Sequence, residues 1–197
     1  MKNTQGVKLQ SGEYNVTITD TLMGNGSSSK VSSLETSSKV GEAVLSVSNG
    51  GTVTVTGKTR VYGGPYAGSP VGLMGPATVK FEGDSYVYAT NEGDADAPHG
   101  RYCVNVHSSG TRVEFNSTGK FCSTGNYVGH TESSYKTTYI VTKGQFAAKN
   151  TKYMFYSNGA ALTGYVGSSS TQNYYWMTSL TDTTSKSLSC YYYKKGV

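Results

Sequence analysis

Val53-Thr54-Val55-Thr56-Gly57 alternates apolar and polar residues and closes on glycine, and this stretch decides the fold because it recurs along the chain. Val79-Lys80-Phe81-Glu82-Gly83 has the same form, and Val113-Glu114-Phe115 has it again, with Gly119 shortly after. Alternation with a period of two is typical of a strand that buries one face. The steps from Val53 to Val79 and from Val79 to Val113 are 26 and 34 residues. A recurrence of that size indicates stacked repeats.

Strand signals continue on both sides of these copies, whereas helical signals are almost absent. The first two copies continue alike, into Val61-Tyr62 and Val87-Tyr88. No window carries the apolar stripe of an amphipathic helix, and glycine interrupts most candidates. The sequence therefore predicts an all-β chain. The predicted strands are Tyr14–Thr19, Ala43–Ser48, Thr52–Thr56, Thr78–Glu82, Tyr86–Thr90, Tyr102–His107, Arg112–Asn116, Thr137–Thr142 and Lys152–Tyr156.

Two all-β architectures compete for this pattern. In an antiparallel β-sandwich or jelly roll, consecutive strands form hairpins, and nothing requires a phrase to recur. In a right-handed parallel β-solenoid, equivalent strands of successive coils stack, and their inward side chains form columns. The recurrence favours a short solenoid of about five or six coils. The predicted interior columns are Val53/Val79/Val113 and Val55/Phe81/Phe115, with Tyr62 and Tyr88 stacked outside the core.

The chain is predicted to form one domain, 1–197, because its length suits a single core. An open solenoid end would expose apolar interior and unpaired strand edges, so both ends need a cap. We assign 1–38 to an N-terminal cap and polar loop and 39–165 to the coils. The aromatic segment 166–197 then caps the last coil or mediates oligomerisation. The predicted loops are Gly24–Ser38, Gly63–Pro76, Asn91–Gly100 and Asn126–Tyr135.

Two further phrases extend the pattern, Gly100–Val106 and Gly144–Asn150. With them, residues 10–165 resemble the single-stranded right-handed parallel β-helix proteins of the pectin-lyase-like fold. The likeness is one of pattern and rests on no signature motif. In character the chain is nearest to phage tail-spike or virion-surface β-helix modules. This resemblance implies a homotrimer and places the variation between coils in inserted loops.

Composition argues for a hydroxyl-rich surface of low charge. Charged residues make up 15% of the chain, while Gly (25) and Tyr (17) are abundant. The net charge is +5, but the basic residues are scattered singly, which argues against nucleic acid as a partner. The sequence predicts no membrane span and no signal peptide. We expect a virion or extracellular surface protein that reaches its site by another route.

The acidic cluster around Glu92, Asp94 and Asp96 is the strongest candidate for chemistry. Carboxylates at alternate positions are potential calcium ligands, although the segment lacks an EF-hand or nonapeptide calcium pattern. With Glu82 and Asp84, Asp94 and Asp96 are also the candidate acid and base for polysaccharide cleavage. A solvated turn explains the same residues, so we predict no cofactor, and metal binding remains a weak alternative.

The three cysteines form no metal-binding pattern. Cys103 and Cys122 lie in neighbouring strand phrases, where they are either small buried residues or a disulfide between coils. His107 follows Val104 and Val106 in the alternation and is predicted to face the opposite, outer side.

Tyrosine is the remaining functional signal. Aromatic rings in or beside the strand phrases combine a large apolar face with a polar tip, which both glycans and protein partners exploit. We predict a non-enzymatic structural or binding protein; the alternatives are a polysaccharide-degrading enzyme and a basic nucleic-acid binder. The candidate binding residues are Tyr62, Tyr66, Tyr88, Arg101 and Tyr102.

Overall fold

The structure is a computed structural model that describes residues 7–24, 43–63, 69–89, 102–123, 127–132, 134–149, 154–157, 160–161, 168–169 and 174–177. Within these ranges the chain is all-β, as predicted, and contains strands and turns but no helix. The described residues accordingly offer no helix with the length and apolar character that crossing a membrane requires.

The strands form three ladders, each of which takes strands in chain order. The first ladder contains β1 (Val7–Leu9), β4 (Leu45–Val47), β7 (Val71–Leu73), β10 (Val104–Val106), β12 (Gly129–Thr131) and β14 (Phe155–Ser157). The second contains β2 (Asn15–Thr19), β5 (Thr52–Thr56), β8 (Thr78–Gly83), β11 (Thr111–Ser123) and β13 (Thr137–Lys149). The third contains β3 (Leu22–Gly24), β6 (Arg60–Gly63) and β9 (Tyr86–Ala89), and joins the second half of β11.

Neighbours within each ladder are parallel. In the described part of the chain, antiparallel pairing is confined to three short strands near the C-terminus. These are β15 (Ala160–Ala161), which pairs with β14, and β16 (Ser168–Ser169) and β17 (Tyr174–Met177), of which β17 pairs with β13. This pattern disagrees with an antiparallel sandwich, in which consecutive strands would pair as hairpins.

The two predicted interior columns are confirmed by the register. Val53 pairs with Val79 and Val79 with Val113, while Val55, Phe81 and Phe115 align beside them. All six side chains are fully buried. The Phe81 and Phe115 rings stack with centroids 5.1 Å apart. Alternation along each strand therefore places one set of side chains in a continuous core, as a half-buried strand requires.

Phenylalanine fills the core towards the later strands. Phe115 makes edge contacts with Phe121 and Phe146, at centroid distances of 4.8 and 5.1 Å. Phe121 and Phe146 stack on each other at 5.2 Å. Offset and edge-to-face pairs at these distances are the favourable aromatic geometries, so this aromatic cluster fixes the position of the strands that carry it.

Three predictions about boundaries need correction. The predicted loops Gly63–Pro76 and Asn126–Tyr135 contain the strands β7 and β12, which are three residues long and contain glycine. The ladders also begin before residue 39, because β1, β2 and β3 pair in parallel with β4, β5 and β6.

Register is preserved although the connections differ in length. Leu45, Val71, Val104 and Gly129 align in the first ladder. The segments that join the third-ladder strands to the next first-ladder strands are 25–44, 64–70, 90–103 and 124–128. Strand pairing, rather than connection length, therefore sets the alignment of the first ladder.

Candidate functional site

The third ladder carries the predicted tyrosine pair. Tyr62 and Tyr88 align in register, and their rings stack with centroids 5.1 Å apart and planes 15° from parallel. Beside them, the Arg60 guanidinium lies 3.7 Å from the centre of the Tyr86 ring, a cation–π contact. The predicted stack is confirmed. The placement of Tyr88 outside the core is wrong, because only 2% of this residue is exposed.

Of the acidic candidates, the structure describes Glu82 and Asp84. Asp84 forms an ion pair with Arg60, with Oδ2 and Nη2 3.0 Å apart, so this carboxylate already has a structural partner. Glu82 is half-buried at the end of the second-ladder alternation. The other candidates, Glu92, Asp94, Asp96, Tyr66 and Arg101, lie outside the described residues.

A second aromatic group lies on the outer side of the first ladder, over β10, β12 and β14. In these strands the flanking residues face the core, which turns the middle residues Asn105, His130 and Tyr156 to the outer side. The register aligns Asn105 with His130 and His130 with Tyr156. Strands in a sheet lie about 4.8 Å apart, a spacing that also suits ring stacking.

Three tyrosines enclose the His130 ring. Tyr102 stacks on it with centroids 4.3 Å apart and planes 10° from parallel, and Tyr156 does so at 5.2 Å and 10°. Tyr127 lies beside the stack, 5.2 Å from Tyr156. All four side chains are half-buried. The result is a connected aromatic surface that spans three strands.

Polar groups border this surface. The Asn105 amide lies between two imidazoles, with Nδ2 3.0 Å from Nε2 of His107 and Oδ1 3.1 Å from Nδ1 of His130. Glu132 Oε1 lies 4.0 Å from His107 Nδ1 and 3.9 Å from His130 Nδ1. His107 is on the outer side, as predicted. We call the group of Tyr102, Asn105, His107, Tyr127, His130, Glu132 and Tyr156 the Tyr–His face.

Burial affects the acid–base state of one of its phenols. Removal from water raises the pKa of Tyr127, and the neighbouring Tyr156 phenol raises it further. Desolvation disfavours the charged form of a phenol. Tyr127 is therefore neutral near physiological pH, and its hydroxyl both donates and accepts hydrogen bonds.

Metal and disulfide chemistry find no support in the described residues. No three His, Cys, Asp or Glu side chains among them are grouped closely enough to hold a metal ion. Cys103 and Cys122 are both buried, and no disulfide joins them, which agrees with the prediction of small buried residues. The Cys103 thiol lies 3.1 Å from the backbone oxygen of Cys122.

Most of the Tyr–His face was not predicted. Tyr102 is a candidate binding residue from the sequence, and Tyr127 belongs to the tyrosines beside the strand phrases, but Tyr127 and His130 fall in a predicted loop and Tyr156 only ends a predicted strand. The available signal was positional, since Tyr102 and Tyr127 each stand two residues before aligned strand residues, Val104 and Gly129.

Comparison with known proteins gives no family. No protein-family model, no curated protein and no solved structure matches the chain.

Proposed function

We propose that this protein is a non-enzymatic binding module, built as a short right-handed parallel β-solenoid, that binds a glycan on its Tyr–His face. Its place would be a virion or extracellular surface, where a homotrimer would present several such faces. The observation that carries the binding proposal is the aromatic surface of Tyr102, Tyr127, His130 and Tyr156 bordered by hydrogen-bonding groups.

The pairing order supports the solenoid. Each ladder takes strands in chain order and in parallel, so the chain visits the first, second and third ladders in turn and then returns. This order resembles the coil structure of pectin-lyase-like proteins. In such an order the inward side chains of successive strands form the core, and the outward side chains form a surface that can bind a ligand, as in other solenoids.

The chemistry of the face supports a glycan ligand. Tyr102 and Tyr156 cover the two faces of the His130 ring, so a glycan would contact the ring edges and the phenol hydroxyls of this group, and sugar hydroxyls need both donors and acceptors. His107 and Glu132 supply such groups at the border, with 33% and 29% of their side chains exposed. A rigid aromatic surface with a polar border also loses little conformational entropy on binding.

Polysaccharide cleavage remains the alternative from the sequence. It needs two carboxylates that flank a bond. Of the two described candidates, Asp84 is held by Arg60. No contact of Glu82 or Asp84 among the described residues favours cleavage over binding.

The test compares tyrosines on two faces. Binding to immobilised neutral and uronic-acid polysaccharides is measured for the wild type, Tyr127→Ala and Tyr62→Ala. Both variants remove a half-buried ring that contacts another tyrosine. We expect Tyr127→Ala to weaken binding about tenfold or more, whereas Tyr62→Ala leaves it close to the wild-type value.

Thermal unfolding of each variant provides the stability control. Equal weakening by both substitutions, weakening by Tyr62→Ala alone, or the absence of any bound glycan in the wild type would contradict the proposal.

A further inference from the structure

The two imidazoles of the Tyr–His face are connected through one amide. Asn105 Nδ2 lies 3.0 Å from His107 Nε2, and its Oδ1 lies 3.1 Å from His130 Nδ1. An amide nitrogen only donates and an amide oxygen only accepts. His107 Nε2 therefore accepts, and the proton of the neutral His107 ring is on Nδ1, on the side of Glu132. His130 Nδ1 instead donates to Asn105.

In this arrangement the two neutral histidines do not bind a second proton equally easily. His130 gains a proton at Nε2 without losing its bond to Asn105. His107 would have to gain it at Nε2, where the N–H would face the Asn105 amino group. Reversing the Asn105 amide exchanges the two roles but still leaves one imidazole facing the amino group. The network therefore accommodates one imidazolium and opposes two.

The surroundings favour His130 as the imidazolium. Its ring lies between Tyr102 and Tyr156, with centroids 4.3 and 5.2 Å away, and aromatic faces attract cations. Tyr127, the fourth ring of the group, lies 6.1 Å away. The Glu132 carboxylate oxygen, itself buried, is 3.9 Å from Nδ1. The same oxygen lies 4.0 Å from His107 Nδ1, so its charge favours the charged form of either imidazole, and what separates the two rings is the tyrosine stack and the Asn105 contacts.

We propose that the Tyr–His face responds to pH: His130 takes up one proton near mildly acidic pH, His107 stays neutral until lower pH, and the uptake shifts binding towards acidic glycans. The last step rests on the proposed glycan-binding function. Proton uptake at His130 offsets the negative charge of Glu132. A sugar carboxylate meets less repulsion after that change, whereas a neutral sugar is little affected.

The proton step is tested without any glycan. The imidazole C–H signals of the full chain are followed by NMR from about pH 8 to about pH 4.5, a range that brackets the ordinary histidine value. The chain has three histidines, so single His→Gln variants assign the signals. We expect the His130 midpoint to lie about one pH unit or more above that of His107.

Two variants examine the contributions to these midpoints. Glu132→Gln removes a charge that lies near both rings and is expected to lower both midpoints, with His130 still above His107. Asn105→Ala removes the bridging amide and is expected to bring the midpoints together. Equal midpoints in the wild type, protonation of His107 first, or a His130 midpoint unchanged by Glu132→Gln would overturn the proposal.

The binding step uses a matched pair of ligands, a uronic-acid oligosaccharide and the neutral oligosaccharide of the same linkage. Sugar carboxylates stay ionised above about pH 5, in line with ordinary carboxyl groups. The affinity ratio of acidic to neutral ligand should rise about tenfold between about pH 7.5 and about pH 5.5. Binding with a constant ratio would contradict the pH response. If neither ligand binds at any pH, the glycan-binding function fails, while the NMR titration still decides the proton step.

Discussion

Tyr139 shows how the core accommodates a large residue at a position that valine occupies in the neighbouring strands. It aligns with Val113 in an otherwise valine-containing interior column, and its ring is buried. The space comes from the first ladder, where Gly129 aligns with Val104. A Cβ at Gly129 would lie 2.7 Å from the Tyr139 ring. The phenol oxygen lies 3.0 Å from the Thr131 hydroxyl, so its polar tip has a partner inside the core, as a buried polar group requires.

Burial gives Tyr139 a role in the pH dependence of stability. Desolvation raises the pKa of its phenol well above 10, and the Thr131 hydrogen bond only partly opposes this. An unfolded tyrosine ionises near pH 10. The stabilisation from the neutral phenol is therefore complete below about pH 10 and is lost as the pH rises towards the folded value, at about 1.4 kcal/mol per pH unit.

Urea unfolding at about pH 8 and about pH 11 checks this expectation. Tyr139→Phe should lose about 1 kcal/mol at the lower pH through its missing hydrogen bond, but should show a smaller alkaline loss than the wild type. Tyr127→Phe is the comparison: the pKa of this half-buried phenol is raised as well, so its removal should also reduce the alkaline loss, but less than the removal of the fully buried Tyr139 phenol. An alkaline loss in Tyr139→Phe equal to the wild-type loss would contradict the assignment.

At the residue scale, the sequence predicts which residues repeat along the chain. It does not predict where a large residue in one ladder is matched by a small residue in another. Val53, Val79 and Val113 follow from alternation and recurrence alone. The pairing of Tyr139 with Gly129 joins two ladders, and no local pattern records which residues face each other across the core. The Tyr–His face is missed for the same reason, since His130 meets Tyr102 and Tyr156 only through the register of three strands.

Among the elements, the turn that follows β2, β5 and β8 depends on the left-handed backbone region. Gly57 and Gly83 have φ angles of 64° and 61°, in the left-handed region. Asp20 occupies the corresponding place after β2 with φ 50°. Aspartate tolerates this region better than most residues because its short side chain bonds locally. The Asp20 side chain also bonds to the neighbouring turn, where its Oδ1 accepts a hydrogen bond from the Lys58 amide at 2.7 Å.

Gly83→Ala tests this turn against a matched glycine. A Cβ at Gly83 would lie 2.7 Å from the backbone nitrogen of Gly57, whereas one at Gly110 (φ 77°) would meet nothing closer than 3.6 Å. We expect a loss of about 2–4 kcal/mol for Gly83→Ala and about 1 kcal/mol for Gly110→Ala. Urea denaturation measures both, and equal losses would show that the close approach of the two turns costs nothing.

Element prediction succeeded for strands of four to six residues, whereas for β11 and β13, of 13 residues each, it covered only Arg112–Asn116 and Thr137–Thr142. The strand β5 was predicted with its observed bounds, and β8 and β9 within one residue. The strands β7 and β12 have three residues each and contain glycine. Such runs become strands only because a neighbouring ladder strand supplies their hydrogen bonds, and this information is not local.

For the whole molecule, the proposed solenoid carries an expectation about assembly. The resemblance to tail-spike-like modules implies a homotrimer. Size-exclusion chromatography with light scattering should therefore give three times the 20.9 kDa chain mass. A monomer mass that does not change with concentration would contradict the trimer without affecting the pairing order of the strands.

The unequal lengths of the connecting segments indicate how the protein would respond to insertions and deletions. Leu45, Val71, Val104 and Gly129 keep their alignment although segments 25–44, 64–70, 90–103 and 124–128 differ widely in length. The entropic cost of a longer closed segment grows only slowly with its length. The paired strands should therefore keep their register when one of these four segments is lengthened or shortened.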